Sequence, residues 1–305
     1  MSPGSFLTVL VAAFFHAGWN MLLKGGRGGV AFNVIMLTAT VILYLPGFLT
    51  LYHPGGLSRQ AWLCVLASGT AHGVYFTLLA KSYSHADLSL AYPVARGSGA
   101  ALAALGSALF LGEKPDAAGL TGIAAILAGM VLLWGSEHAH GHLQSACGTQ
   151  GCQSEGSSRI WWALGTGVSI GAYSLVDKVG VSLIHPFAYI YLVMASAAVI
   201  ILLVSLAPKR PGETGARSWR EELVYEWNRN GTRAVAAGLF MLFTYLLVLS
   251  AMRTSNLSYV APLRESSVLF SLLLGRLVLK ERTTARRCAA GATISLGVLL
   301  LGLAR

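Results

Sequence analysis

Apolar residues in this chain come in long runs, not in the alternating or one-sided patterns of strands and helices that face water. Ten runs approach the ~20 residues that carry an α-helix across a bilayer. They lie at about 4–23, 29–51, 60–81, 87–111, 116–135, 159–179, 186–207, 233–252, 257–279 and 286–304. Inside hydrocarbon every backbone N–H and C=O must be satisfied within the segment, so helices are expected. Short polar breaks separate the runs, among them Lys24-Gly25-Gly26-Arg27, His53-Pro54-Gly55-Gly56, Glu113-Lys114-Pro115-Asp116 and His185-Pro186. The pattern predicts an all-α integral membrane protein with about ten transmembrane helices.

Two connections are longer. Residues 136–158 are rich in Gly, Ser and His. Residues 208–232 are charged, yet Trp219, Leu223, Val224 and Trp227 fall at helical spacing. Two readings of that stretch stand: an amphipathic segment along the membrane interface, or a solvated loop with a helical turn.

Composition agrees with the hydropathy. Hydrophobic residues make up 55% of the 305 residues and charged residues 11%, against roughly 25% charged in soluble proteins. The formal net charge of +10 sits mainly at the ends of apolar runs and in short loops. That is how topology-setting charge is distributed, and it argues against a nucleic-acid groove. The first apolar run lacks a basic leader and outlasts a signal-peptide core, so it is expected to be a retained helix. Cys64 and Cys288 read as small hydrophobes, whereas Cys147 and Cys152 lie in the polar 136–158 segment.

The chain also repeats itself. Leu88-Ser89-Leu90-Ala91-Tyr92-Pro93-Val94-Ala95-Arg96 aligns with Leu257-Ser258-Tyr259-Val260-Ala261-Pro262-Leu263-Arg264 across one gap. Beyond it, Leu111-Gly112-Glu113-Lys114 meets Leu279-Lys280-Glu281-Arg282 at an offset of 168, which also carries Gly129 onto Gly297. Lys24 stands opposite Lys178. Five crossings separate the halves, so they must have opposite orientation, the inverted-repeat plan of many secondary transporters. The expected organisation is a first repeat over 1–135, a His- and Cys-containing linker over 136–158, and a second repeat over 159–305 carrying the charged loop 208–232.

At these residues the sequence resembles the drug/metabolite transporter superfamily, specifically its EamA-type ten-helix members. Ser89 to Pro93, Leu111-Gly112-Glu113 and the Gly-rich run from Gly119 to Leu133 match elements of its five-helix unit. Ser258 to Pro262, Leu279-Lys280-Glu281 and Gly291 to Leu301 match them again. The string His16-Ala17-Gly18-Trp19-Asn20 resembles a subgroup of these proteins. The resemblance implies a fold and a transport activity, but no particular solute. The superfamily's small multidrug exporters carry a Glu in their first helix, and residues 4–23 hold no acid here. A copy of their drug/proton exchange is not expected.

Ionisable residues inside a bilayer cost several kcal/mol and mark solute or ion paths. Arg96, Arg264 and Glu265 each follow a helix-bending proline, Pro93 or Pro262, with Tyr92 beside the first. Inverted symmetry would bring them to one central, net positive cavity suited to an anionic or zwitterionic metabolite such as an amino acid or organic acid. The competing reading has the arginines snorkelling or simply paired with Glu265. His16, Trp19 and Asn20 share one face of the first helix. His72 with Tyr75, and Tyr245 opposite Tyr75, would extend that lining, though such residues also act as interhelical glue. Asp177 with Lys178, and Glu113 with Lys114, are placed at helix ends near water, in capping, gating or pairing roles.

His138, His140 and His142, with Cys147 and Cys152, are weak metal candidates, outweighed by a polar linker. No phosphate loop or nucleophile elbow occurs, so no enzyme activity and no cofactor are expected. The expected function is a secondary active transporter of a small polar metabolite, exporting or exchanging it by alternating access, with protons as a possible coupling partner. The alternatives are a metal-ion exporter and, behind it, a membrane-embedded enzyme. The expected setting is a plasma membrane (the inner membrane of a Gram-negative cell), as a monomer or homodimer without nucleic acid. Orientation is contested: Lys and Arg divide fourteen to five toward the face away from the termini, placing the termini outside by the positive-inside rule, while the resemblance implies cytoplasmic termini.

Overall fold

The computed structural model describes the backbone of residues 1–25, 29–52, 57–85, 88–145, 155–206, 218–277 and 284–304. It describes side chains for 1–22, 29–52, 57–79, 95–132, 161–206, 218–274 and 284–304. All regular structure among these residues is helical: α1 (Pro3–Gly25), α2 (Val30–Leu51), α3 (Arg59–His85), α4 (Leu88–Phe110), α5 (Ala117–Ser145), α6 (Glu155–Leu183), α7 (Pro186–Leu206), α8 (Trp219–Thr254), α9 (Leu257–Arg264), α10 (Ser267–Leu277) and α11 (Ala285–Leu303).

Eleven helices make ten spans because the ninth is broken. Pro262 has no N–H to donate and ends α9 within a turn. The chain then tightens into i→i+3 bonds, with Glu265 N–H donating to Pro262 C=O and Ser266 N–H to Leu263 C=O. The same bend is expected from sequence at Pro93, but the backbone of α4 runs through that position as one helix. The side chains of Tyr92 and Pro93 lie outside the described residues.

Seven stretches of the described residues are long and apolar enough to cross a bilayer. Their outward faces carry large apolar side chains, such as Leu7, Ile42, Leu49, Leu203 and Leu303, where a soluble protein would place charge. Both termini reach one face, as an even number of spans requires, and the Met1 ammonium donates to Ala304 C=O at 2.9 Å.

The packing repeats as the sequence does. α3 packs on α6 and α7, while α8, its counterpart, packs on α1 and α2. α5 packs on α11, α2 on α7 and α4 on α9, each against its own counterpart. At the α5–α11 crossing the equivalence reaches single residues. A Cβ on Gly297 would lie 2.7 Å from Gly122 C=O and 2.8 Å from Ile126 N. A Cβ on Gly129 would lie 3.0 Å from Ala290 C=O and 3.1 Å from Ile294 N. Adding 168 to 122, 126 and 129 gives 290, 294 and 297, so the two contacts are one contact made twice. Glycine is required here because the backbones touch.

Helix extends into both of the longer connections. The 208–232 stretch is helical from Trp219 onward, and α8 runs unbroken for 36 residues to Thr254. Glu221 helps to start it by accepting from Ser218 N–H at 3.1 Å. Helical backbone also enters the expected linker from both ends, to Ser145 and from Glu155.

The face bearing the termini is tied across the repeats. The Glu113 carboxylate accepts from Leu257 N–H and Ser258 N–H at 2.8 Å each, capping the amino end of α9. These donors have no partner within the helix, and a carboxylate there also meets the positive end of the helix dipole. Asp116 N–H donates to Tyr259 OH at 2.9 Å. Within the second repeat, the Lys178 ammonium donates to Met252 C=O at 2.6 Å and Ser255 C=O at 2.8 Å, closing the carboxyl end of α8. Glu113 and Lys178 thus fill the capping role expected of them. Glu281 lies outside the described residues.

Candidate functional site

The helix break and the inverted packing together create a cavity between the halves. It is lined by His16 and Trp19 of α1, His72, Tyr75 and Phe76 of α3, Arg96 of α4, Tyr173 of α6, Met194 of α7, Met241, Thr244 and Tyr245 of α8, and Arg264 of α9. The space between them comes to about 370 Å³, open solvent included. Seven of the expected residues therefore line one cavity: His16, Trp19, His72, Tyr75, Arg96, Tyr245 and Arg264.

Symmetry pairs half of this lining. Arg96 answers Arg264 and Tyr75 answers Tyr245. The offset of 154 that sets Lys24 against Lys178 sets Trp19 against Tyr173, which sequence reasoning passed over although the same alignment points to it. Met194, Met241 and Thr244 were also missed. Apolar and small polar lining residues look the same in sequence as helix-packing residues.

The two arginines are not used alike. Arg96 is buried and committed: its Nε donates to Glu265 Oε2 at 2.8 Å, its Nη1 lies 2.6 Å from His16 Nε2, and its Nη2 reaches Ser267 Oγ at 3.5 Å. Arg264 is 2% exposed, and its Nε and Nη2 have no hydrogen-bond partner among the described residues. Its Nε stands 3.9 Å from Glu265 Oε1, which is likewise without a hydrogen bond among them. Glu265 thus serves one arginine closely and the other at a distance, leaving donors of Arg264 available.

His16 is held between two donors. Trp19 Nε1–H points at its Nδ1 at 3.1 Å while Arg96 Nη1 faces its Nε2. A neutral imidazole offers one acceptor nitrogen, so the ring serves the indole or the guanidinium but not both. Asn20 stands outside the cavity lining, its amide donating to His16 C=O at 2.7 Å.

Asp177 corrects an expectation. It does not face water: it is fully buried, and Ser68 Oγ, Tyr189 OH and Tyr245 OH all donate to it. α6 continues to Leu183, which carries Asp177 inward from the expected helix end. Tyr245 belongs to both settings, since its ring lines the cavity and its hydroxyl holds the carboxylate. No group of three His, Cys, Asp or Glu that could hold a metal occurs among the described residues. The side chains of His138, His140 and His142 lie outside them.

The sequence of each half matches the model of the EamA-like transporter family separately, over residues 4–135 and 157–303. The chain belongs to the EamA-like transporter family. This EamA-like chain is therefore a multi-pass membrane transporter of the drug/metabolite type, built as two inverted five-helix repeats. A solved structure titled only as the crystal structure of a protein superposes on it with a TM-score of 0.72 at 19% identity, covering 99% of this chain and 98% of that one. That likeness concerns the fold alone. No curated protein matches this EamA-like chain significantly.

Proposed function

We propose that this protein is a secondary transporter of a small anionic or zwitterionic metabolite, such as an amino acid or organic acid, with the solute held in the cavity between the repeats. The observation that carries the reading is Arg264. A fully buried guanidinium with two nitrogens unpartnered leaves costly donors unsatisfied unless something else takes them, and a carboxylate or phosphonate fits that fork with parallel hydrogen bonds. Trp19, Tyr75, Tyr173 and Met241 would cover the solute's apolar part.

Arg96, fixed by Glu265 and His16, would shape the cavity and set its field instead of gripping the solute. Alternating access by rocking of the two repeats, serving export or exchange, is supported by the self-matching α5–α11 crossing and by the Glu113 cap that ties the two repeats at one face. The proposed setting is a plasma membrane (the inner membrane in a Gram-negative cell), as a monomer or homodimer. The test is uptake and counterflow in proteoliposomes with L-serine, L-glutamate, malate and aminomethylphosphonate. Saturable, Arg264-dependent flux of at least one is expected; a protein that moves none, or moves them equally well as Arg264→Ala, overturns the reading.

A further inference from the structure

Asp177 forms a second polar centre one hydrogen bond away from the cavity. Three other helices converge on it. Ser68 from α3 and Tyr189 from α7, the latter at 2.8 Å, donate to its Oδ1, and Tyr245 from α8 donates to its Oδ2. His72 completes the α3 face, with Nδ1 3.2 Å from Ser68 Oγ, its ring stacked on Tyr173 at 3.9 Å and edge-on to Tyr245 at 5.3 Å. Cys64 of α3 is near enough to place its C=O 3.5 Å from Tyr189 OH.

No cation pairs with this carboxylate among the described residues. Its chain neighbour Lys178 turns away to cap α8. The cavity arginines bear on Glu265. The contrast with Glu265 is the informative part. Glu265 has a counter-ion at 2.8 Å and is neutralised by it. Asp177 has hydroxyls only. A buried charge held by neutral donors alone is costly in a low-dielectric interior.

Tyr245 gives that carboxylate a link to the solute. A phenol has one O–H, and here it points at Asp177 Oδ2. A bound carboxylate on Arg264 competes for the same hydrogen, because Tyr245 and Arg264 line one cavity. When the phenol turns to the solute, Asp177 keeps two of its three donors and Oδ2 is left open.

Building on the transporter reading above, we propose that Asp177 is the coupling-proton site, and that the Tyr245 hydroxyl, shared between Asp177 and the solute, ties proton uptake to solute binding. One proton from water adds to Oδ2, taking the side chain from carboxylate to neutral acid. It leaves again when the solute departs and Tyr245 turns back. The coupling is reciprocal, so protonation tightens solute binding by the factor by which the solute favours protonation. Solute and proton then move together.

The first arm of the test uses no solute and so does not depend on the transporter reading. Acid-minus-alkaline infrared difference spectra of the purified protein in lipid should show the C=O stretch of a buried carboxylic acid. Asp177→Asn should remove that band and Glu265→Gln should leave it. Tyr245→Phe should keep it at higher frequency, since the acid loses a hydrogen bond. A wild-type protein without the band, or a band that survives Asp177→Asn, overturns the proposal. The second arm uses proteoliposomes and the four solutes named above. Asp177→Asn should retain counterflow but lose accumulation driven by an acid-outside gradient. Accumulation like wild type, or loss of counterflow in folded protein, overturns it as well. If the wild-type protein moves none of the four, the transporter reading fails while the infrared arm still decides the proton site.

Discussion

Arg96 and Glu265 form an ion pair 2.8 Å long between α4 of one repeat and the broken ninth span of the other, with both side chains almost wholly buried. Removing one partner strands a charge in the interior, which costs about 3–5 kcal/mol, whereas replacing both with apolar groups of similar volume costs little. Arg96→Met or Glu265→Gln should therefore lower the melting temperature of the purified protein sharply. Arg96→Met/Glu265→Met removes the pair but also the carboxylate that faces Arg264 at 3.9 Å, so it should recover only part of the loss and none of the flux. Thermal unfolding beside a transport assay checks both halves of this expectation.

Arg264 should behave in the opposite way. Two of its nitrogens already lack partners among the described residues, so Arg264→Ala should cost less stability than Arg96→Met. Its transport should nevertheless be lost. Arg264→Lys keeps the charge but not the fork. With charge-assisted bonds at about 1.5–3 kcal/mol, KM should rise roughly ten- to a hundredfold. Equal stability losses at the two arginines would contradict the division of labour between them.

The Glu113 cap gives a test of closure. Deleting it removes the partner of two backbone donors at the start of α9, a loss of about 1–2 kcal/mol. Ser258, buried in that first turn, should then become reachable. With Ser258→Cys as the reporter, a membrane-impermeant thiol reagent should label the Glu113→Ala protein faster than the protein that keeps Glu113. Equal labelling would show that the cap does not hold this face shut.

The α5–α11 crossing should tolerate no bulk. Leu at Gly122 or Gly297 would drive a side chain into backbone at 3.0 Å or less, and the protein should fail to purify as a monodisperse species. Gly4 and Gly18 have nothing within 4 Å of the place an added methyl would take, so Ala there should pass the same size-exclusion assay unchanged.

Hydropathy was enough for the spans because the bilayer rule is local and severe. Internal alignment was enough for Arg96, Arg264, Tyr75 and Tyr245 because inverted halves superpose equivalent positions. What escaped is where helix ends decide burial. Asp177 beside Lys178 looks in sequence like the polar end of a span, and only the continuation of α6 to Leu183 places the acid inside and the lysine at the end of α8. Likewise Pro93 and Pro262 are equal in sequence, yet only the second breaks its helix. A proline states what it forbids, while its surroundings decide how the chain responds. In the stretch 219–232 the helical spacing of Trp219, Leu223, Val224 and Trp227 was legible, but that the helix joins the eighth span without a break was not.

The crossing of α5 and α11 has a last implication. Gly122, Ile126 and Gly129 meet Ala290, Ile294 and Gly297 through a surface that is, position for position, its own mate. Such a surface needs no second sequence to complete it. A five-helix chain inserted in both directions in one membrane would already carry the seam that joins it to its upside-down copy.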